Sequence, residues 1–384
     1  MKMNNTKQHS ILSKIKKISP DPILITSWVL AILSILFVNS KKMSLQDIDF
    51  RTLEILWGLM VIIQGLKQNR LFDVIAGKLL KKVTYGWQLF LVLILFPFFS
   101  AMLITNDVAL IIFVPFSIMV LEKCHQQKRL IPIIVLQTIG ANLGSMLTPI
   151  GNPQNLYLYG IAKLSLTDFL KVTFPFTLAS FVMLCFSILW IPDWKQKMEV
   201  GVKSYTEEIR NRKQILIYLI LFLTAMLVVI RVFNDRIFLM IVFLSVFMID
   251  KKLLLKADYA LLMTFIGFFI FVGNIGRMED VSTLIEKVLD HREIITSLGL
   301  SQIISNVPTA LLLSKFTDQY RDLIIGVNLG GLGTLIASMA SIISYKAYAN
   351  VENANRKKYL LTFTLLNVIF LLCQLFILYG TGRH

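Results

Sequence analysis

The stretch Gly140-Ala-Asn-Leu-Gly-Ser-Met-Leu-Thr148-Pro-Ile-Gly-Asn-Pro-Gln-Asn-Leu-Tyr-Leu-Tyr159 aligns without gaps to Gly326-Val-Asn-Leu-Gly-Gly-Leu-Gly-Thr334-Leu-Ile-Ala-Ser-Met-Ala-Ser-Ile-Ile-Ser-Tyr345. Glycine, Asn-Leu-Gly, threonine, isoleucine and tyrosine coincide at one offset, which marks an internal repeat. Both copies are apolar, yet Pro149, Gly151 and Pro153 in the first, and the glycines around Thr334 in the second, interrupt any helix they start. Upstream, Thr105-Asn106 and Ser305-Asn306 each sit inside a longer apolar segment. Each half therefore reads as helix, helix, hairpin with a hydroxyl-Asn tip, interrupted helix, helix.

Outward from the repeat, charge is confined to short intervals. Between Val83 and Leu121 the only Asp, Glu, Lys or Arg is Asp107, and Leu130–Ala162 and Leu360–Gly382 carry none. Runs of this length cross a hydrocarbon layer of roughly 30 Å, which takes about 20 helical residues. With 56% apolar and 16% charged residues and a mean hydropathy of +0.70, the 384-residue chain reads as an all-α polytopic membrane protein. Spans are expected near 22–39, 51–66, 130–159, 169–191, 214–231, 237–249, 257–276, 323–345 and 359–380, those at 130–159 and 323–345 being interrupted. The segments 88–121 and 294–316 have arms of about 11–16 residues on either side of a polar knot, too short to span. They read as two re-entrant hairpins, the first alternatively as two tilted short spans.

With the N-terminus inside, about two-thirds of the 39 Lys and Arg residues fall in the inner segments, as the positive-inside rule requires. The net charge of +16 is thereby explained by topology, without a nucleic-acid partner. The predicted organisation is a cytoplasmic basic tail, 1–21, with no cleavable signal; a first transmembrane repeat, 22–191; a cytoplasmic loop and linking helix, 192–231; and a second repeat, 232–384. The linking helix makes an odd crossing between the halves, so the repeats are inverted. The first hairpin then opens to the cytoplasm and the second to the outside. The amphipathic stretch 69–82 is expected along the inner surface, and Trp87, Trp190 and Trp194 at the interfaces. Cys124, Cys185 and Cys373 are scattered without metal spacing, and the four histidines lie in tails or loops. No nucleophile–base pair, paired aspartates or metal motif falls in a span, so neither an enzyme nor a resident cofactor is expected.

Inverted repeats with helices broken at matching positions place a solute site near the bilayer midplane. A broken helix bares N–H groups at one half and C=O groups at the other, which survive only inside protein or beside a polar cavity. The N–H ends attract anions, and the carbonyls coordinate small cations. The residues offering such groups are Thr105, Asn106, Asn142, Thr148, Gly151, Asn152, Asn155, Ser305, Asn306, Thr309, Asn328 and Thr334, with Gln154 as a further amide. Asp107 is a carboxylate in the middle of an apolar segment, where ionisable groups are costly and usually functional. It reads as a coupling carboxylate for H⁺ or Na⁺, or as a helix N-cap satisfied by local amides.

At these residues the chain resembles the ion transporter superfamily, and within it the citrate-transporter-like and arsenite-permease-like carriers. Thr105-Asn106-Asp107-Val-Ala-Leu-Ile-Ile-Phe-Val-Pro115 looks like their first hairpin, Thr148-Pro-Ile-Gly-Asn-Pro-Gln-Asn155 like their first interrupted helix, and Ser305-Asn306-Val-Pro308-Thr309 like their second hairpin. The resemblance implies a carrier of a small anion, a di- or tricarboxylate or an inorganic oxyanion, coupled to Na⁺ or H⁺ in the cell's plasma membrane. It also implies a homodimer, and Na⁺ sites at Asn106, Gly151 and Asn306. The carboxylate at the first tip and the proline-free second break, Gly333–Ser341, depart from the dicarboxylate carriers. They lean toward arsenite permeases and Na⁺/H⁺ antiporters, so cation/proton exchange and efflux stand as alternatives.

Overall fold

The computed structural model describes residues 22–37, 47–192, 194–197 and 208–380. The basic tail 1–21 and most of the loop before the linking helix lie outside them. Among the described residues there are seventeen α-helices and no β-strand. The first half holds α1 (Pro22–Phe37), α2 (Phe50–Gln68), α3 (Leu71–Leu80), α4 (Gly86–Ile104), α5 (Asn106–Lys123), α6 (Leu130–Ser145), α7 (Pro153–Ile161) and α8 (Leu166–Ser187). The linking helix is α9 (Arg212–Val229). The second half holds α10 (Asp235–Asp250), α11 (Tyr259–Ile275), α12 (Glu279–Leu289), α13 (Glu293–Ile304), α14 (Asn306–Leu313), α15 (Tyr320–Leu329), α16 (Met339–Ala349) and α17 (Arg356–Gly380).

Helix α6 is the axle of the molecule. All but one of its residues are buried, and α4, α5, α8, α16 and α17 pack around it. A helix apolar on every side has no solvent face to keep, so it settles in the centre. Its glycines set how closely its neighbours approach. A methyl group on Gly144 would collide with the Phe98 carbonyl of α4, and one on Gly326 of α15 with the Ile294 carbonyl of α13. The Gly-x-x-x-Gly spacing in both copies, 140/144 and 326/330, thus serves helix–helix contact against the first arm of each hairpin.

Among the described residues, four helical segments are long and apolar enough to cross a membrane unbroken: Gly86–Ile104, Leu166–Trp190, Arg212–Val229 and Arg356–Gly380. The first hairpin differs from the expectation in length. Its arms, α4 and α5, have 19 and 18 residues, against 12 and 8 in the second hairpin, α13 and α14. Helix α4 starts early because Gln88 reaches back to the Thr84 and Tyr85 backbone N–H groups, at 2.7 and 3.1 Å. It also runs through Pro97 without breaking. Pro97 leaves the Leu93 carbonyl without its helical donor, and the buried Gln137 of α6 supplies one from Nε2 at 2.7 Å. The stretch after α11 contains α12, turned 103° from α11. The amphipathic stretch forms α3, which buries Phe72, Ala76, Gly77 and Leu80 and exposes the opposite face. Trp87 and Trp190 are exposed.

Candidate functional site

The tips of both hairpins are single residues in a backbone conformation that side chains avoid. Thr105 has φ 64° and ψ 148°, and Ser305 has φ 75° and ψ 156°. This region is almost confined to glycine and costs of order 1–3 kcal/mol, so the surroundings must hold it. They do so in the same way twice. The Asn106 N–H donates to the Gly151 carbonyl at 3.1 Å, and the Asn306 N–H to the Ala337 carbonyl at 3.0 Å. The Thr148 hydroxyl donates to the Met102 carbonyl at 2.5 Å, and the Thr334 hydroxyl to the Gln302 carbonyl at 3.1 Å. Residues 151 and 337, like 148 and 334, are aligned partners in the repeat. Each break therefore grips the end of its own hairpin arm and satisfies carbonyls that the turn would leave bare.

A third pair of bonds crosses between the halves. Ser338 Oγ donates to Asn142 Oδ1 at 3.0 Å, and Asn152 Nδ2 donates to Asn328 Oδ1 at 3.3 Å. Asn142 and Asn328 are aligned, as are Asn152 and Ser338, so the exchange is reciprocal. Asn106 Nδ2 also donates to Asn142 Oδ1 at 2.9 Å, and Asn328 Nδ2 donates to Asn155 Oδ1 at 2.7 Å. The result is a buried amide network joining one tip and both breaks. Such a network specifies a single geometry when satisfied.

Beside this network is a cavity of about 30 Å³. That is room for one or two waters or a bare ion, not for a carboxylic acid, so the site is closed in this conformation. Four helices begin at its wall. Asn106 opens α5, Pro153 opens α7, Asn306 opens α14, and Ser338 is the N-cap of α16. Their positive ends converge on one spot, which favours an anion although no Lys or Arg among the described residues lines the cavity. Asp107 lines it as well and is its one acidic residue. Asp107 Oδ1, Asn152 Oδ1 and both amide atoms of Gln154 are buried without a hydrogen-bond partner. Unpaired buried polar atoms are uncommon and call for a ligand, an ion or water.

Each break also gathers carbonyls on one side-chain amide. Asn155 Nδ2 faces the Ser145, Met146 and Thr148 carbonyls at 3.4–3.5 Å. Gln302 Nε2 donates to the Gly330 and Leu332 carbonyls at 2.9 and 3.0 Å and to Leu298 at 3.2 Å.

The expected site residues thus divide into three. Asn106, Asp107, Ser305 and Asn306 line the cavity. Asn142, Asn152, Asn155 and Asn328 form the network beside it. Thr105, Thr148, Gly151, Thr309 and Thr334 shape the backbone: the Thr309 hydroxyl donates to the Ser305 carbonyl at 2.8 Å, and Thr334 is turned away from the cavity. Three contributors were not singled out from the sequence. Ser338 is the aligned counterpart of Asn152 and is found once the repeat is used to transfer roles. Thr264 of α11 lines the cavity from a helix outside both motifs, and Gln302 carries no motif.

A family profile described as "citrate transporter" matches residues 14–319. An uncharacterized transporter from Methanocaldococcus jannaschii is 31% identical over 300 residues, covering 78% of this chain and 81% of its own length. The inner membrane protein YbiR from Escherichia coli is 31% identical over 309 residues, covering 78% and 80%. A silicon efflux transporter from Oryza sativa is 29% identical over 150 residues, 39% of this chain and 30% of its own.

Proposed function

We propose, because this chain belongs to the citrate transporter family, that it is a secondary active carrier of a small anion, coupled to H⁺ or Na⁺. It is a multi-pass membrane transporter. One observation carries it: four helix N-termini meet at a small cavity lined by Asp107 and Gln154, whose buried Asp107 Oδ1 and Gln154 amide atoms lack hydrogen-bond partners. The dipoles attract an anion, and ionised Asp107 repels it. A proton on Asp107, or Na⁺ beside it, removes that repulsion, so anion and cation bind best together. That is the thermodynamic requirement for symport. The Na⁺ route would use Asn106, Gly151 and Asn306, with Asn155 or Gln302 yielding carbonyls to the ion. Di- or tricarboxylates and inorganic oxyanions fit the recognition offered, which rests on backbone N–H groups, hydroxyls and amides.

The same reading takes 22–191 and 232–384 as repeats of opposite sense, with the N-terminus in the cytoplasm, in a homodimer in the cell's inner membrane. A second reading is cation/proton exchange or efflux. It is favoured by the absence of any Lys or Arg at the cavity wall and by the lone carboxylate there.

Purified protein in liposomes decides between them. Citrate, succinate, sulfate and arsenite are offered under imposed pH and Na⁺ gradients. Anion uptake driven by either gradient supports symport. H⁺ or Na⁺ exchange without any anion supports the second reading, and anion flux indifferent to both gradients removes both.

A further inference from the structure

A second cavity, of about 120 Å³, lies beside the closed site and shares Asp107 with it. Its walls are the apolar faces of different parts of the molecule. Leu59 and Ile63 come from α2, Leu261 from α11, Val108 and Ile111 from α5, and Ile343 from α16. Four polar residues interrupt this lining: Gln64, Thr105, Asp107 and Asp258. Both charged residues are acidic, and no base lines the crevice among the described residues. Asp107 Oδ1 is buried and lacks a hydrogen-bond partner, while Asp258 is exposed.

This arrangement is the chemical opposite of the anion site. The apolar walls of the crevice take an apolar body. Two carboxylates without a counter-charge select a cation and reject an anion. We propose that the crevice is a binding site for an amphiphilic amine: one ammonium group seated at Asp107 and drawn in past Asp258, with a short aryl or alkyl body along α2, α5 and α11. Protonated amines keep their charge near neutral pH, since alkyl ammonium groups titrate near 10. An occupant touches α2 and α11 on one side and α5 and α16 on the other, and so braces these elements against one another.

Three probes of nearly equal size, small enough for the crevice, test the site: n-butylamine, n-butanol and n-butyrate, with the full-length protein in nanodiscs. The amine should bind saturably, one per chain, about ten-fold tighter than the alcohol, as one partly desolvated ion pair implies. It should raise the unfolding temperature, and the butyrate should not compete. Asp258→Asn keeps the N-cap of α11, because asparagine also accepts the bond that Asp258 takes from the Leu261 N–H. That change should weaken the amine several-fold and leave the alcohol unchanged, and Asp107→Asn should abolish the preference for the amine. Equal binding of all three probes to the wild-type protein overturns the proposal and leaves an apolar crevice that holds lipid chains only. This measurement needs no transport, so failed anion uptake would count against the carrier reading and not against this site.

Discussion

Thr105 and Ser305 bear the conformational cost of the two hairpin tips, and a glycine at either would remove it. Thr105→Gly should raise the unfolding temperature in detergent, by an amount worth about 1 kcal/mol, because β-branched residues are the least suited to positive φ. The same change should slow uptake if the strained turn is what holds the Asn106 amide group against Asn142. Asp107 offers the sharper test. Asp107→Asn retains size and hydrogen-bonding capacity but cannot take up a proton or balance a cation. Ion-driven uptake should be lost while the amount of folded protein is kept; still-coupled uptake at the wild-type rate would end the coupling role.

At the scale of helices, close packing against a backbone decides which substitutions the fold tolerates. Gly144→Ala and Gly326→Ala each drive a methyl group into a neighbouring helix's carbonyl, at a cost of about 1–3 kcal/mol. Gly299→Ala is the matched control. Its added methyl meets nothing within 4 Å, and alanine is the better helix former, so α13 should be unharmed or slightly stabilised. Unfolding temperatures of the three variants check this. Equal gains in all three would mean that helix propensity, not the approach of α4 to α6 and of α13 to α15, governs these positions.

The whole molecule is tied at one end by a charge cluster far from the amide network in sequence. Asp47, before α2, accepts from Arg277 Nη2 at 2.6 Å and from Lys315 Nζ at 3.0 Å. Burial pushes the Asp47 carboxyl up, but its bonds to Arg277 and Lys315 outweigh that and hold it below the usual carboxylate range. A group depressed in the folded state stabilises the protein above its unfolded pKa, near 3.9. That contribution fades as pH falls through the lower folded value. Asp47→Asn should therefore cost about 1 kcal/mol at pH 7, and wild type and variant should converge in stability as the pH falls through 4 toward 3. A constant gap across that range would show that the cluster acts by shape alone. Topology has its own test. Single cysteines at the base of the first hairpin, beside Lys123, and of the second, beside Thr317, should react with impermeant reagents from opposite sides of the membrane. Reaction from the same side would remove the inverted arrangement.

Membrane class, helix positions, the two hairpin tips and the two breaks were legible in the chain because each rests on local physics. A span must be apolar over its whole length, a proline or glycine run must interrupt a helix, and a repeat preserves its glycines at fixed spacing. Asn106, Asp107, Ser305 and Asn306 were found for the same reason, since polar residues inside apolar runs stand out. Other facts had to wait for the packed structure. That Thr148 and Thr334 hold carbonyls instead of facing the cavity, that Gln302 gathers three more, and that Asp47 meets Arg277 and Lys315 all depend on contacts between distant segments. So does the length of α4, which continues through Pro97 only because a glutamine from another helix satisfies the carbonyl that the proline abandons. Sequence fixes which groups need partners; only folding brings together the segments that provide them.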